Sequence, residues 1–127
     1  MAGKTRVTLP AGCENAPRNA RAVEIALAFM GVARLEPDLL AEGASWDRTG
    51  APCLIGRGAI SDAVAQVTPP VSLSVSEVST HGRAGSVSGR FTRDGEGTSL
   101  FCHVLRFTSA SCRELAQVVS FERRERA

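Results

Sequence analysis

The sequence predicts an α+β domain, with helices in its first half and an antiparallel meander of strands in its second. Two observations carry this. From residue 17 to about 33, apolar side chains recur at helical spacing, whereas residues 71–121 show short apolar stretches, partly alternating, between turn residues. A chain of 127 residues that is 43% hydrophobic is also long enough and apolar enough for one packed core.

Residues 1–14 contain Pro10 and Gly12 without any period and read as an N-terminal arm; residues 15–127 read as the domain. Asn15 is the expected cap of the first helix, and Pro17 suits a first turn, where its missing N–H would have no partner anyway. That helix is expected to run to about Ala33. Val23, Ala26, Leu27 and Met30 form one stripe, widened by Ile25, Phe29 and Val32. A short second helix is expected from Pro37 to about Glu42, stopped by Gly43. Ala44–Arg48 then reads as a short strand, Thr49-Gly50-Ala51-Pro52 as a turn and Cys53–Ile55 as the returning strand. Gly56-Arg57-Gly58 leads into a third helix, about Ala59 to Val67, which Pro69-Pro70 cannot continue.

The remainder reads as strands. Val71–Ser79 sets Val71, Leu73 and Val75 against serines. A turn at His81-Gly82 precedes Ala84–Arg93, where Gly85 and Gly89 mark bulges or bends. Asp94-Gly95-Glu96-Gly97 is a hairpin signal, Ser99–Thr108 follows, and Arg113–Phe121 is last. About three N-terminal helices packed on one face of a curved antiparallel sheet is the architecture this order implies.

Composition excludes several functions. Fifteen basic and 13 acidic residues leave a formal charge of +2, with no electrostatic footprint for nucleic acid. Four irregularly spaced cysteines without a Cys-x-x-Cys pair do not form a zinc motif, and they read as small reduced hydrophobes. No apolar run reaches a membrane span and Met1–Gly12 lacks a secretion signal, so a soluble, cytoplasmic protein is expected, with no membrane partner. Gly56-Arg57-Gly58 lacks the other residues of a phosphate loop or dinucleotide fingerprint, and no nucleophile elbow is present; neither cofactor nor metal is expected.

One segment points to a site. Along Leu100–Phe107, Phe101, His103, Leu105 and Phe107 share a phase, so period-2 alternation carries an imidazole inward among apolar side chains. A buried titratable ring is costly unless it finds a partner or lines a cavity. By the same alternation Arg106 belongs to the outer sheet surface.

The order of these motifs resembles a known family. Leu35-Glu36-Pro37-Asp38-Leu39-Leu40 followed by Ala44-Ser45-Trp46-Asp47, then Gly56-Arg57-Gly58-Ala59-Ile60, then Phe101–Phe107, are similar to the nuclear-transport-factor-2-like superfamily, in its SnoaL-like and ketosteroid-isomerase-like branch. The opening Leu9–Arg18 resembles uncharacterised bacterial members. The resemblance implies a cone-shaped fold with a cavity for a small, mostly apolar molecule and a homodimer formed through the outer sheet face. It also implies Asp47 as the proton-shuttling base and His103 at the position of the oxyanion donor. Ala26 stands where the isomerases place a tyrosine, and the chain contains no tyrosine. Trp46, Phe29, Met30, Phe101 and Leu105 are the expected apolar lining. The short strand leaves open whether Asp47 or Trp46 faces the cavity. Two functions follow as expectations: proton transfer of the isomerase, cyclase or hydratase type, or a non-catalytic ligand-binding or dimerisation module.

Overall fold

A computed structural model of the chain describes residues 4–12 and 16–125. In order, it contains strand β1 (Arg6–Thr8), helix α1 (Pro17–Phe29), a single 3-10 turn (Pro37–Leu39), strands β2 (Leu40–Arg48) and β3 (Ala51–Ile55), and helix α2 (Arg57–Ala65). Strands β4 (Ser72–His81), β5 (Ala84–Thr92), β6 (Thr98–Phe107) and β7 (Leu115–Arg124) complete it. All seven strands form one sheet in the order β1-β4-β5-β6-β7-β2-β3. The class is α+β, as expected, and β4 to β7 are the expected antiparallel meander. The sheet as a whole is mixed, because β1 joins β4 and β2 joins β7 in parallel.

Among the described residues two α-helices, rather than the expected three, lie on the sheet. The segment expected as the second helix makes one 3-10 turn, closed by Leu39 N–H donating to the Glu36 carbonyl at 3.0 Å, and then enters β2 at Leu40, opposite Leu115 of β7. Sheet pairing overrides helix propensity over a segment too short to propagate a helix. The first helix ends at Phe29 instead of Ala33, since Gly31 adopts a left-handed φ of +79° and the N–H of Val32 folds back to the Leu27 carbonyl at 2.9 Å. Asn15, the expected cap, lies outside the described residues. The third expected helix is present as α2, shifted two residues toward the N-terminus.

Helix α1 packs its Ala22, Val23, Ile25, Ala26 and Phe29 side over β4 and β5, while α2 lies over β2 and β3 through Ile60 and Val64. The core joins these residues to Leu73, Val75, Val87, Phe91, Phe101, Leu105, Phe107, Leu115 and Val118 from the sheet. Val71, expected in phase with Leu73, lies before β4 and is exposed. Register shifts in β4 between Val75 and Glu77, between Arg106 and Phe107 on the β6–β7 edge, and within β2 mark bulges, which bend strands and increase their twist. The β4 bulge sits opposite Gly89, so the irregularity expected at that glycine is in its partner strand. Cys53, Cys102 and Cys112 are free thiols; Cys13 lies outside the described residues. Among the described residues no helix is long and apolar enough to cross a membrane.

Candidate functional site

Between the two helices and the sheet lies an open-mouthed cavity of about 810 Å³. Its apolar wall is Phe29 and Met30 from the end of α1, Trp46 from β2, and Ala63 and Val67 from α2 and the loop beyond. Alternation along β2 sends Ala44, Trp46 and Arg48 inward and Asp47 outward. Trp46 is 3% exposed and meets Phe29 edge to face, with ring centroids 4.8 Å apart.

His103 lines the cavity from β6 and is 1% exposed, as its phase in the sequence predicts. Its cross-strand partner on β7 is Ser120, also buried, and Arg48 of β2 is the Cα partner of Ser120 on the other side. Arg48, Ser120 and His103 therefore form one row on the inner face, across three neighbouring strands. The β2–β3 turn holds that row in place: Thr49 N–H donates to the Ser120 carbonyl at 3.1 Å, and Glu122 N–H donates to Thr49 Oγ1 at 3.2 Å.

The hydrogen bonds at Ser120 join the imidazole to the indole of Trp46. Trp46 Nε1–H is a donor only, and it donates to Ser120 Oγ at 2.8 Å. The second partner of Ser120 Oγ is His103 Nδ1, at 2.7 Å. The serine oxygen has two acceptor lone pairs, so it accepts from both nitrogens or accepts from tryptophan and donates its hydroxyl proton to a bare Nδ1. A neutral imidazole accepting at Nδ1 carries its proton on Nε2. Burial holds the His103 pKa down to about 4, so the ring is neutral at pH 7. Nε2, the ring nitrogen away from Ser120, is buried without a hydrogen-bond partner among the described residues.

The mouth is charged. Arg93 pairs with Glu122 at 3.4 Å, and Arg124 with Glu96 at 2.8 Å, bracing the β5–β6 hairpin against the end of β7. Both pairs are partly exposed, where such contacts contribute little to stability. Arg48 stands apart. Its guanidinium lies 4.9 Å from the centroid of the Trp46 ring, and its Nε is buried without a partner among the described residues.

Of the residues expected at the site, His103, Trp46, Phe29 and Met30 come together on the cavity wall. Phe101 and Leu105 are on the inner face but do not reach it. They are 3% and 0% exposed and sealed into the core, Phe101 between the rings of Phe91 and His103. Asp47 is not brought to the cavity: its side chain is exposed on the outer face, beside the Cys53 thiol of β3. Sequence reasoning missed Ser120 and Arg48 as site residues. Both were accessible by the argument that found His103. Ser120 follows Val118 by two on β7, and Arg48 must share a face with Trp46 once the tryptophan is inward.

No protein-family model matches the chain, and no curated protein matches it. Solved structures do. A nuclear-transport-factor-2-like protein of unknown function from Burkholderia xenovorans superposes with a TM-score of 0.69 at 13% identity, over 92% of this chain and 90% of that one. A protein of Kribbella flavida provisionally assigned as a ketosteroid isomerase gives 0.67 at 17% identity, over 91% and 83%. One from Jannaschia, provisionally assigned as a SnoaL-like polyketide cyclase, gives 0.61 at 12%, over 84% and 88%. At these identities the likeness establishes architecture and leaves activity open. The chain has the nuclear-transport-factor-2-like fold.

Proposed function

We propose that this chain binds a small, mostly apolar molecule in the cavity and anchors an acceptor oxygen of that molecule, such as a ketone carbonyl, on His103 Nε2–H. One observation carries the reading: a buried ring nitrogen without a partner among the described residues, on a residue lining the cavity; with Ser120 donating to Nδ1, that nitrogen is a donor. A buried N–H left unpaired costs about 1–3 kcal/mol, so the pocket gains most from a ligand that supplies the missing acceptor. Phe29, Met30 and Trp46 provide the apolar contact.

Binding is favoured over proton transfer on chemical grounds. A general base needs a lone pair aimed at the substrate and a pKa near the working pH. With Nε2 protonated, the one lone pair of neutral His103 is engaged by Ser120, and Asp47, the other expected catalytic group, faces out. The proposal includes a second copy of the chain on the outer sheet face. There Val104 and Phe121 are exposed, cross-strand from Val119 and Cys102.

The test compares benzophenone with diphenylmethane, which has the same shape without the carbonyl. Benzophenone is expected to raise the melting temperature of the wild type more than diphenylmethane does, because a ligand that binds only the native state stabilises it. In His103→Leu the two compounds should behave alike. Equal shifts by both compounds in the wild type would remove the basis of the reading.

A further inference from the structure

We propose that the molecule held in this cavity is an apolar oxo acid, with its anionic head on Arg48 and its oxo group on His103; this rests on the binding reading above. The two anchors are geometrically linked. Arg48 and His103 occupy one row of the sheet, on either side of Ser120, with side chains on the same face. Two strand spacings separate their Cα atoms by about 10 Å. A compact ligand with a terminal acid and an oxo group a few bonds away can span the gap between the two side chains.

Arg48 has the character of an anion site rather than of a structural cation. Stacking on Trp46 occupies the face of the guanidinium and leaves its edge donors free. Nε belongs to that edge and is buried without a partner, which is costly until an acceptor arrives. Among the described residues no carboxylate, Asp94 of the cavity wall included, forms an ion pair with Arg48. Glu122, the next inward residue of β7 after Ser120, is taken by Arg93, and Glu96 is taken by Arg124. The cavity wall carries four arginines against three carboxylates, which leaves one positive charge in excess. A carboxylate matches the planar guanidinium fork in a bidentate arrangement, the strongest pairing available to that group.

Benzoylpropionate, its methyl ester and phenylbutyrate separate the two anchors. The ester keeps the ketone and loses the charge; phenylbutyrate keeps the charge and loses the ketone. Calorimetric titration of the wild type is expected to show benzoylpropionate binding roughly tenfold or more tightly than its ester, in line with a charge-assisted hydrogen bond. Phenylbutyrate should also bind more weakly than benzoylpropionate. The preference for acid over ester should vanish in Arg48→Met and survive in part in Arg48→Lys, a variant that keeps the charge without the fork. Equal affinity for acid and ester would overturn the anion site while leaving the carbonyl anchor standing. An acid preference unchanged in Arg48→Met would overturn it too, by assigning the charge recognition to the arginines of the mouth. If benzophenone binds and none of these three compounds does, the oxo-acid assignment alone falls; if benzophenone also fails, both readings fall together.

Discussion

Replacing Gly89 by alanine is expected to destabilise the domain by about 3 kcal/mol or more, enough to leave a protein of ordinary stability largely unfolded. Gly89 faces Val75 where β4 carries an extra residue, Ser76, and the bulge drives the β4 backbone toward β5. A Cβ at Gly89 would fall onto the Ser74 carbonyl group and within 3.0 Å of the Val75 Cα. These are backbone atoms held by the ladder on both sides, so no side-chain rotation relieves the overlap. The alternatives are to open the β4–β5 pairing or to lose the bulge. Losing it would shift every later side chain of β4 to the opposite face. The comparison is Gly43→Ala. Gly43 lies inside β2 with open space where its Cβ would be, and its substitution should change stability by less than about 1 kcal/mol. Chemical denaturation of the two variants separates a clash from the mere loss of a glycine. Similar, small effects for both would contradict the close approach.

Ser120→Ala is expected to cost about 2–4 kcal/mol, far more than deletion of a single hydroxyl on a strand surface. The hydroxyl serves two buried groups together, accepting from Trp46 Nε1–H and pairing with His103 Nδ1. Without it both nitrogens are left unpaired in a site where neither side chain can turn to solvent, and each unsatisfied group costs about 1–3 kcal/mol. The pairs share one atom, so the two losses are coupled and the total falls below twice a single loss. Denaturation of Ser120→Ala beside Trp46→Phe shows the coupling, since the serine loses less once the indole donor is gone. A cost under about 1 kcal/mol for Ser120→Ala in the wild-type background would mean that these hydrogen bonds are absent.

The sequence makes most of the architecture legible because its periodicities are strong. Serines alternating with Leu73 and Val75, and the Phe101-x-His103-x-Leu105-x-Phe107 phase, mark strands and their inner faces without further information. It fails where a local preference competes with a distant partner. Pro37-Asp38-Leu39 starts a helical turn as expected, but Leu40 onward belongs to β2 because β7, more than 70 residues later, offers a ladder. The same mistake shortened the strand carrying Trp46 and Asp47, and with it hid which of the two faces inward. With β2 running from Leu40, its buried positions Leu40, Ala44 and Trp46 identify the inner face, and Arg48 follows. Ser120 was hidden for another reason. A small hydroxyl residue in a strand carries no signal of its own until the strand opposite it is known to present His103 and the strand beside it Trp46.

The state of His103 also has a consequence for stability. Its pKa in the fold, about 4, lies below the ordinary 6.5 because burial disfavours the charged ring. Between these values the unfolded chain binds more protons than the native one. The contribution of this group is therefore complete above pH 6.5 and declines as pH falls toward 4, by at most about 1.4 kcal/mol per pH unit. Burial alone causes the shift, and the groups in contact with the ring carry no charge to reverse its sign. Ser120 is its hydrogen-bond partner and Phe101 its aromatic neighbour.

The binding reading depends on His103 being a neutral donor at Nε2, which long-range proton–nitrogen correlation spectra report directly. Recorded on a His81→Gln background, so that one imidazole remains, the spectrum at neutral pH should show His103 protonated at Nε2 and bare at Nδ1, with a titration midpoint at about 4. A ring carrying its proton on Nδ1, or titrating at its ordinary 6.5, would contradict the account.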